Sequence, residues 1–408
     1  LSIGNWKKRA SEKHRLRPHN KRIMNMSHVH FQSGKRPVYQ ELSGEVTRFF
    51  REKGIKKTGD DRLHNKAILI ALLYVGSYLL IYGLSGSMHY IAWAMHGIAT
   101  ALVGFNIMHD GAHESFSGSR KVNRLMAMTF NLVGSNRYYW AQKHNRNHHA
   151  FTNVDEADED IDALGLFRMS PHQPHRPFHR YQHVYVWFLY LITSLFWFFA
   201  LDFKAYGSQK IARRDYSHRM KFADHVEFWA SKAIYVILYL LIPMAALGTG
   251  PALLGFLLMH AFLGFLFAVI FQLAHVVDKA EFPRPDERGV LPDEWAVHQM
   301  RTTVDFATES RFLTWALGGL NFQAEHHLFP RVSHVHYAEL HPMVEKKAAE
   351  MGYELRSYPT MWAAIKGHYR HMRALSVPGT PARTASAYEK QEAECTECST
   401  GAEELRAS

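Results

Sequence analysis

The chain has 408 residues, 47% hydrophobic and 21% charged, enough apolar material for a sizeable core or several membrane spans. Its formal charge of +11 is scattered around apolar segments, as in the basic cytoplasmic loops of a membrane protein, and no nucleic-acid partner is expected. Cysteine contributes only Cys395 and Cys398, in a polar tail, which excludes a disulfide framework and thiolate ligands for a core metal.

The first sixty-five residues are basic and lack an apolar run, so no secretory signal is expected; Met24 or Met26 is the expected natural start. Residues 67–84 form an uncharged apolar run. At about 1.5 Å per residue it reaches about 27 Å, just enough for a bilayer core. A second run, 88–108, follows the short link Ser85-Gly86-Ser87, which predicts a hairpin. His96 lies inside this run and is read as a buried polar group with a helix partner. Residues 233–248 and 252–277 predict a second hairpin through Gly248-Thr249-Gly250-Pro251, with His275 at its far end.

The run 185–201 is short and rich in Trp, Tyr and Phe, which favour the membrane interface. If all the clustered histidines build one site, an even number of crossings must separate His149 from His275. The second hairpin supplies both, so 185–201 is expected to lie in the membrane plane. The expected fold is an all-α integral membrane protein: four transmembrane helices in two hairpins, an in-plane interfacial helix, and a cytoplasmic helical cap carrying the histidines. Neither hairpin link contains Lys or Arg, so both termini and the histidines are placed in the cytoplasm. The expected division is a basic N-terminal segment (1–65), a membrane domain (66–355) and a cytoplasmic tail (356–408) with a disordered end.

Three boxes and one isolated position gather at the rims of these runs: His109-x-x-x-His113, His144-x-x-x-His148-His149, His275, and Gln323-x-x-His326-His327. On a helix, residues four apart share a face, so His109 and His113 can grip one ion, as can His144 and His148. A doublet such as His148-His149 is rotated by about 100° and can address two ions. Imidazole suits Fe, Zn, Cu and Ni alike, but a tetrahedral zinc needs only about four ligands. Two metals are the natural reading of eight imidazoles. Asp110, Asp162, Asp305 and Glu325 are candidates to orient imidazole N–H groups, or are simply exposed carboxylates. His298 is a candidate supporting residue ahead of the third box. Trp140 is read as interface packing, and His172, His175, His179, His183, His334, His336 and His341 as surface residues. Arg213-Arg214 and Lys346-Lys347 are read as contacts to lipid head groups.

More than the histidines match a known pattern. His109-Asp110-Gly111-Ala112-His113, His144-Asn145-Arg146-Asn147-His148-His149 with Thr152-Asn153 and the acidic run Asp155 to Asp162, and Asn321-Phe322-Gln323-Ala324-Glu325-His326-His327-Leu328-Phe329-Pro330 resemble the three boxes of the membrane fatty-acid desaturases over roughly residues 65–355. The resemblance implies metal ligands at His109, His113, His144, His148, His149, Gln323, His326 and His327, and His275 matches a further ligand position after the fourth span. It implies two iron ions, O2 as co-substrate, and a fatty acyl-CoA or acyl-lipid substrate in the membrane. Gln323 in place of a histidine is typical of the front-end branch, which works between an existing double bond and the carboxyl end (delta-5 or delta-6 type). That branch often carries a fused haem domain with a His-Pro-Gly-Gly motif. Here His341-Pro342 lacks the glycines, so an external donor, ferredoxin or cytochrome b5, is expected. Spacing alone leaves two alternatives: a di-iron hydroxylase of acyl chains, alkanes or carotenoids, and a membrane zinc protein, although no His-Glu-x-x-His run occurs.

Overall fold

Five long apolar helices organise the computed structural model, which describes residues 29–32, 36–211, 214–215 and 220–379. Met24, Met26, Cys395, Cys398 and Arg213, and the side chain of Arg214, lie outside the described residues. Helix α1 (Pro37–Lys53) precedes the first apolar helix, α2 (Asp61–Gly83). Asp60 caps α2 by accepting from the Arg62 N–H at 2.9 Å, which satisfies one of the open donors at a helix start. Then come α3 (Met88–Ala112), α4 (Arg120–Leu132), a helical stretch α5 (137–151), α6 (Pro177–Ser208), α7 (Phe222–Leu247) and α8 (Thr249–His275). Short cap helices follow: α9 (Trp295–Thr302), α10 (Gln323–Leu328), α11 (Tyr337–Glu350) and α12 (Met361–Ala374). Strand structure among the described residues is confined to three two-residue pairings, such as Asp305–Phe306 beside Ser357–Tyr358.

Helices α3 and α8 are the inner pair, and α2, α6 and α7 flank them with exposed Leu and Ile side chains. Small residues let the backbones close up, as lipid-embedded helices require in the absence of a hydrophobic drive between them. Gly97 of α3 lies against the Met259 carbonyl of α8. A Cβ at Gly264 would stand 2.9 Å from the Tyr190 carbonyl of α6. Two internal histidines are tied across helices. His96 bonds Ser77 Oγ (2.9 Å) and Tyr239 Oη (3.0 Å), and His260 bonds Ser194 Oγ and Tyr235 Oη, both at 2.8 Å. A second buried tie, Lys232 to Asp202 at 2.6 Å, joins α7 to α6.

Each of the four expected spans coincides with one of these helices, three of them overrunning its C-terminal end by one or two residues. The segment 185–201 differs from expectation in extent. It is the middle of α6, a helix of 32 residues that is long and apolar enough to cross a membrane by itself. Polar residues at its margins, Gln182, His183, Asp202 and Lys204, truncate the apolar run in the sequence without breaking the helix. Outside the apolar helices, α1 buries Val38, Leu42, Val46 and Phe50, spaced by four, against Leu340, Val344 and Ala348 of α11. Helix α12 docks through His368, which bonds Tyr190 Oη and the Val276 carbonyl.

Candidate metal centre

Local winding positions the boxes. The last turns of α3 before His109 open into a π-turn at Gly104–Met108, and a longer one covers Ala141–His148 in α5. Such turns replace i→i+4 hydrogen bonds by i→i+5 and are common at functional sites. In a regular α-helix His149 would sit about 140° around from His144. In the π-turn its N–H reaches the His144 carbonyl, and the two Nε2 atoms approach to 3.2 Å. All three histidines of the second box therefore face one space.

The eight imidazoles converge there from four chain segments, and all are buried. Ring nitrogens of His109, His113, His144 and His326 lie within 4.8 Å of one another. So do those of His148, His275 and His327, and those of His149, His326 and His327. His149 and the His326-His327 doublet thus link two neighbouring groups. Gln323 is buried beside them on α10, its amide nitrogen donating to the Leu320 carbonyl at 2.6 Å.

The far side of several rings is fixed by a specific acceptor. His148 Nδ1 donates to Asp158 Oδ2 (3.0 Å), His327 Nδ1 to Gln299 Oε1 (2.8 Å) and His275 Nδ1 to the Thr302 carbonyl (3.2 Å). Trp140 stacks on His144 at 4.4 Å between ring centroids. Burial, reinforced by the neighbouring imidazoles, holds His113, His149, His326 and His327 well below the ordinary histidine range. His144 falls to about 4, burial outweighing its contact with Asp160. Burial thus favours the neutral form of these imidazoles, whose lone pairs can face a cation. At His148 the balance is reversed: burial opposes the charge, but Asp158 and Asp160 raise the group.

A metal fits this donor set. Nε2 of His109, His113, His326 and His327 and Nδ1 of His149 have no hydrogen-bond partner among the described residues. Each buried polar atom left unsatisfied costs about 1–3 kcal/mol. Five together would rival the about 5–15 kcal/mol that keeps a typical domain folded. Cations aimed at by these lone pairs remove that penalty.

A small aromatic crevice of about 10 Å³ borders this cluster. Phe105, Phe130, Trp140, Trp197, Phe267 and Phe271 line it together with His109. Gly104 keeps it open: a Cβ there would meet the Phe267 ring at 2.7 Å.

Several sequence readings need correction. Asp110 does not orient a box imidazole. It accepts from His334 Nδ1 (2.9 Å) and Ser333 Oγ (2.6 Å), and His334 in turn meets Lys66 Nζ at 3.0 Å. Asp162 is exposed, and its neighbours Asp158 and Asp160 stand by His148 in its place. Asp305 and Glu325 face His341, whose Nδ1 donates to Glu325 at 2.8 Å. His179, His334 and His336 are buried and bonded, since each finds a carbonyl or carboxylate partner inside the cap. Trp140 is buried against the histidines. His298 bonds the Thr152 carbonyl at 2.9 Å, behind the second box. Lys347 pairs with Glu41 at 3.1 Å. The acidic run could have indicated Asp158 and Asp160 from their place just after the second box. Nothing local marks Gln299 or Thr302, which reach the site only through tertiary packing.

Comparison with known proteins agrees with this geometry. The family model described as fatty acid desaturase matches residues 85–359. The sn-1 linoleoyl-lipid 6-desaturase of Synechocystis sp. (strain ATCC 27184 / PCC 6803 / Kazusa) is 32% identical over 84% of this chain and 96% of its own length. The acyl-lipid (8-3)-desaturase of Physcomitrium patens is 33% identical over 83% of this chain and 72% of its own. A probable delta(5) fatty acid desaturase C of Dictyostelium discoideum is 29% identical over 74% of this chain and 66% of its own. With the boxes, the converging imidazoles and a family match over most of its length, the chain belongs to the fatty acid desaturase family.

Proposed function

We propose that the chain is a front-end acyl-lipid desaturase, of delta-5 or delta-6 type, that inserts a cis double bond between an existing one and the carboxyl end of a lipid-bound acyl chain. The names of relatives that align over most of their length support both the regiochemistry and the lipid carrier. Most weight falls on one observation: buried imidazole nitrogens without partners that converge on one space, with an aromatic crevice beside His109.

His109, His113, His144 and His326 would hold one iron, and His148, His275 and His327 a second, with His149 between them. Gln323 would complete the set through its amide oxygen, directly or by way of a water. Two irons so held would supply an oxidant, drawn from O2 and two electrons, strong enough for an unactivated C–H bond. The remaining work belongs to the protein. Asp158, Gln299 and the Thr302 carbonyl fix ring orientation, and misplacement by about 1 Å would be costly. The aromatic walls beside His109 would exclude water, and they would have to part to admit a pair of methylenes. Electrons would arrive from a separate ferredoxin or cytochrome b5.

For the membrane arrangement, four crossings with both termini and the metal centre in the cytoplasm are favoured. Both hairpin links lack Lys and Arg. Both ends of α6 are held by cap elements: Gln182 donates to the Arg168 and Met372 carbonyls, and Asp202 accepts from Ser135. A helix anchored to the same layer at each end suits an in-plane or shallow position.

Expression in a host lacking polyunsaturated fatty acids, fed linoleate, tests the activity by fatty-acid profiling. A new double bond on the carboxyl side of the existing ones is expected, and His148→Ala should abolish it. A product heavier by one oxygen would instead make the enzyme a hydroxylase.

A further inference from the structure

Two tyrosines inside the apolar helices share a device that helix pairing alone does not need. Ser194 donates its one hydroxyl proton to the His260 carbonyl at 3.0 Å, so its oxygen accepts from His260 Nδ1–H at 2.8 Å. That assignment leaves the lone pair of His260 Nε2 facing the Tyr235 phenol, 2.8 Å away. Ser77 does the same for His96. Its proton goes to the Tyr74 carbonyl (3.0 Å), its oxygen accepts from Nδ1–H (2.9 Å), and Nε2 accepts from the Tyr239 phenol at 3.0 Å. A carbonyl would satisfy a buried phenol equally well, as the Leu238 carbonyl does for Tyr78 at 2.7 Å. Tyr235 and Tyr239 instead point at bases that can take their protons. Ionisable groups buried at membrane depth are rare and mark proton relays and substrate paths.

The same two rings lie on an unbroken aromatic line from the metal centre. Trp140 stacks on His144 at 4.4 Å, Phe130 follows at 6.1 Å and Phe198 at 6.4 Å, and Tyr235 stands 6.3 Å beyond. Tyr239 comes next at 4.6 Å, then Tyr78 at 5.7 Å and Tyr82 at 5.4 Å. Tyr82 is half-buried, one residue before the end of α2 at the hairpin link. His109 lies about 30 Å from that link along α3, at about 1.5 Å per residue. The line therefore crosses most of the apolar layer. Electron tunnelling weakens steeply with distance, so such a span is passable only in short steps between oxidisable rings. Tyrosine gives up an electron most readily when its proton leaves at the same time, which His260 and His96 permit.

We propose that this line is an outlet for oxidising equivalents stranded at the metal centre when O2 has been consumed and no acyl chain is in place. One electron passes from Tyr235 to the centre by way of Trp140, and the phenolic proton of Tyr235 moves to His260 Nε2. Tyr239 then reduces Tyr235, which recovers its proton from His260, and the Tyr239 proton moves to His96. Tyr78 and Tyr82 pass the deficit on in turn, and a phenolic reductant in the lipid, such as a hydroquinone, refills Tyr82. Two electrons delivered in this way, with two protons from water, return the stranded oxygen atom as water. The imidazoles of the boxes are thereby spared oxidation. The outlet rests on the proposed function only for the source of the oxidant.

Electron paramagnetic resonance tests it on the full chain in detergent, loaded with Fe(II), mixed with O2 in the absence of acyl lipid and frozen rapidly. A tyrosyl radical is expected, and ring-deuterated tyrosine should narrow its signal without any substitution in the chain. The double variant Tyr235→Phe/Tyr239→Phe keeps both rings and removes both phenols. It should lose the signal and accumulate oxidised box histidines, read by peptide mass spectrometry. Tyr190→Phe removes a phenol that also meets an imidazole, His368 at 2.9 Å, but lies off the line, and it should keep the signal. In the unsubstituted chain, added hydroquinone should quench the radical and lower histidine oxidation. No radical, a signal that survives the double variant or is lost equally in Tyr190→Phe, or indifference to hydroquinone would overturn the proposal. Desaturation without a radical would remove the outlet and leave the proposed function standing. A radical in a chain that forms no double bond when given acyl lipid would do the reverse, and a chain that takes up no iron would overturn both.

Discussion

At the scale of single residues, the imidazoles are only as good as what holds them. Asp158 accepts from His148 and also from the backbone N–H groups of Asn153 and Asp160, so one carboxylate fixes both a candidate ligand and the loop behind it. Asp158→Asn is expected to lower iron content or turnover about 10–100-fold, the usual effect of losing such a support. Metal analysis of purified protein checks this, and full occupancy with unchanged turnover would count against it. His341 offers a different test. Burial pulls its pKa down, but the Glu325 hydrogen bond and the charges of Glu325 and Asp305 outweigh burial and raise it to about 9. Its folded pKa lies above the unfolded value, so the ion pair's stabilisation is full below about pH 6.5 and is lost as pH rises through about 9. His341→Gln should therefore destabilise the protein in neutral and acidic buffer, and the gap to wild type in melting temperature should close above about pH 9. The sequence showed the ligand candidates themselves because their spacing is periodic and their number is improbable. It did not show Gln299 and Thr302, which stand 28 and 27 positions from the histidines they meet, or the partnership of Asp110 with His334 across 224 positions, because tertiary packing alone brings them together.

At the scale of elements, hydropathy located the apolar helices because lipid contact imposes long uniform runs. It did not reveal their winding. The π-turn at Ala141–His148 carries one residue more than an α-helix would, and that residue swings His149 onto the side of His144. Deleting Gln142, just ahead of the box, should turn its three histidines together by about 100° relative to Trp140 and the helix before it. The shortened protein is expected to fold but to bind iron poorly. Wild-type iron content in it would remove the π-turn from the account. Close approach of α3 and α8 at Gly97 gives the complementary prediction. Gly97→Ala drives a methyl group at the Met259 backbone and should cost about 1–3 kcal/mol, seen as a lower melting temperature in detergent.

At the scale of the whole molecule, the open question in the sequence was the segment 185–201. Length estimated from apolar residues alone ended it too early, and the helix continues through polar residues that bond to the cap. Two cysteines introduced at Tyr181 and Gln209, in a chain whose Cys395 and Cys398 are replaced by serine, distinguish the arrangements. Labelling of both by a membrane-impermeant reagent from the same side supports four crossings. Labelling from opposite sides would make α6 a fifth span and would require another arrangement of the hairpins.

The unsatisfied nitrogens at the centre also tie the fate of the polypeptide to nutrition. A ligand that binds only the native state stabilises it by mass action, and here the stabilised region joins every box-bearing segment at once. Cells starved of iron would synthesise the same chain but retain less of it, because quality-control proteases remove what is held open by mutually crowded, vacant imidazoles. Membrane unsaturation would then fall with the mineral supply even at constant transcription.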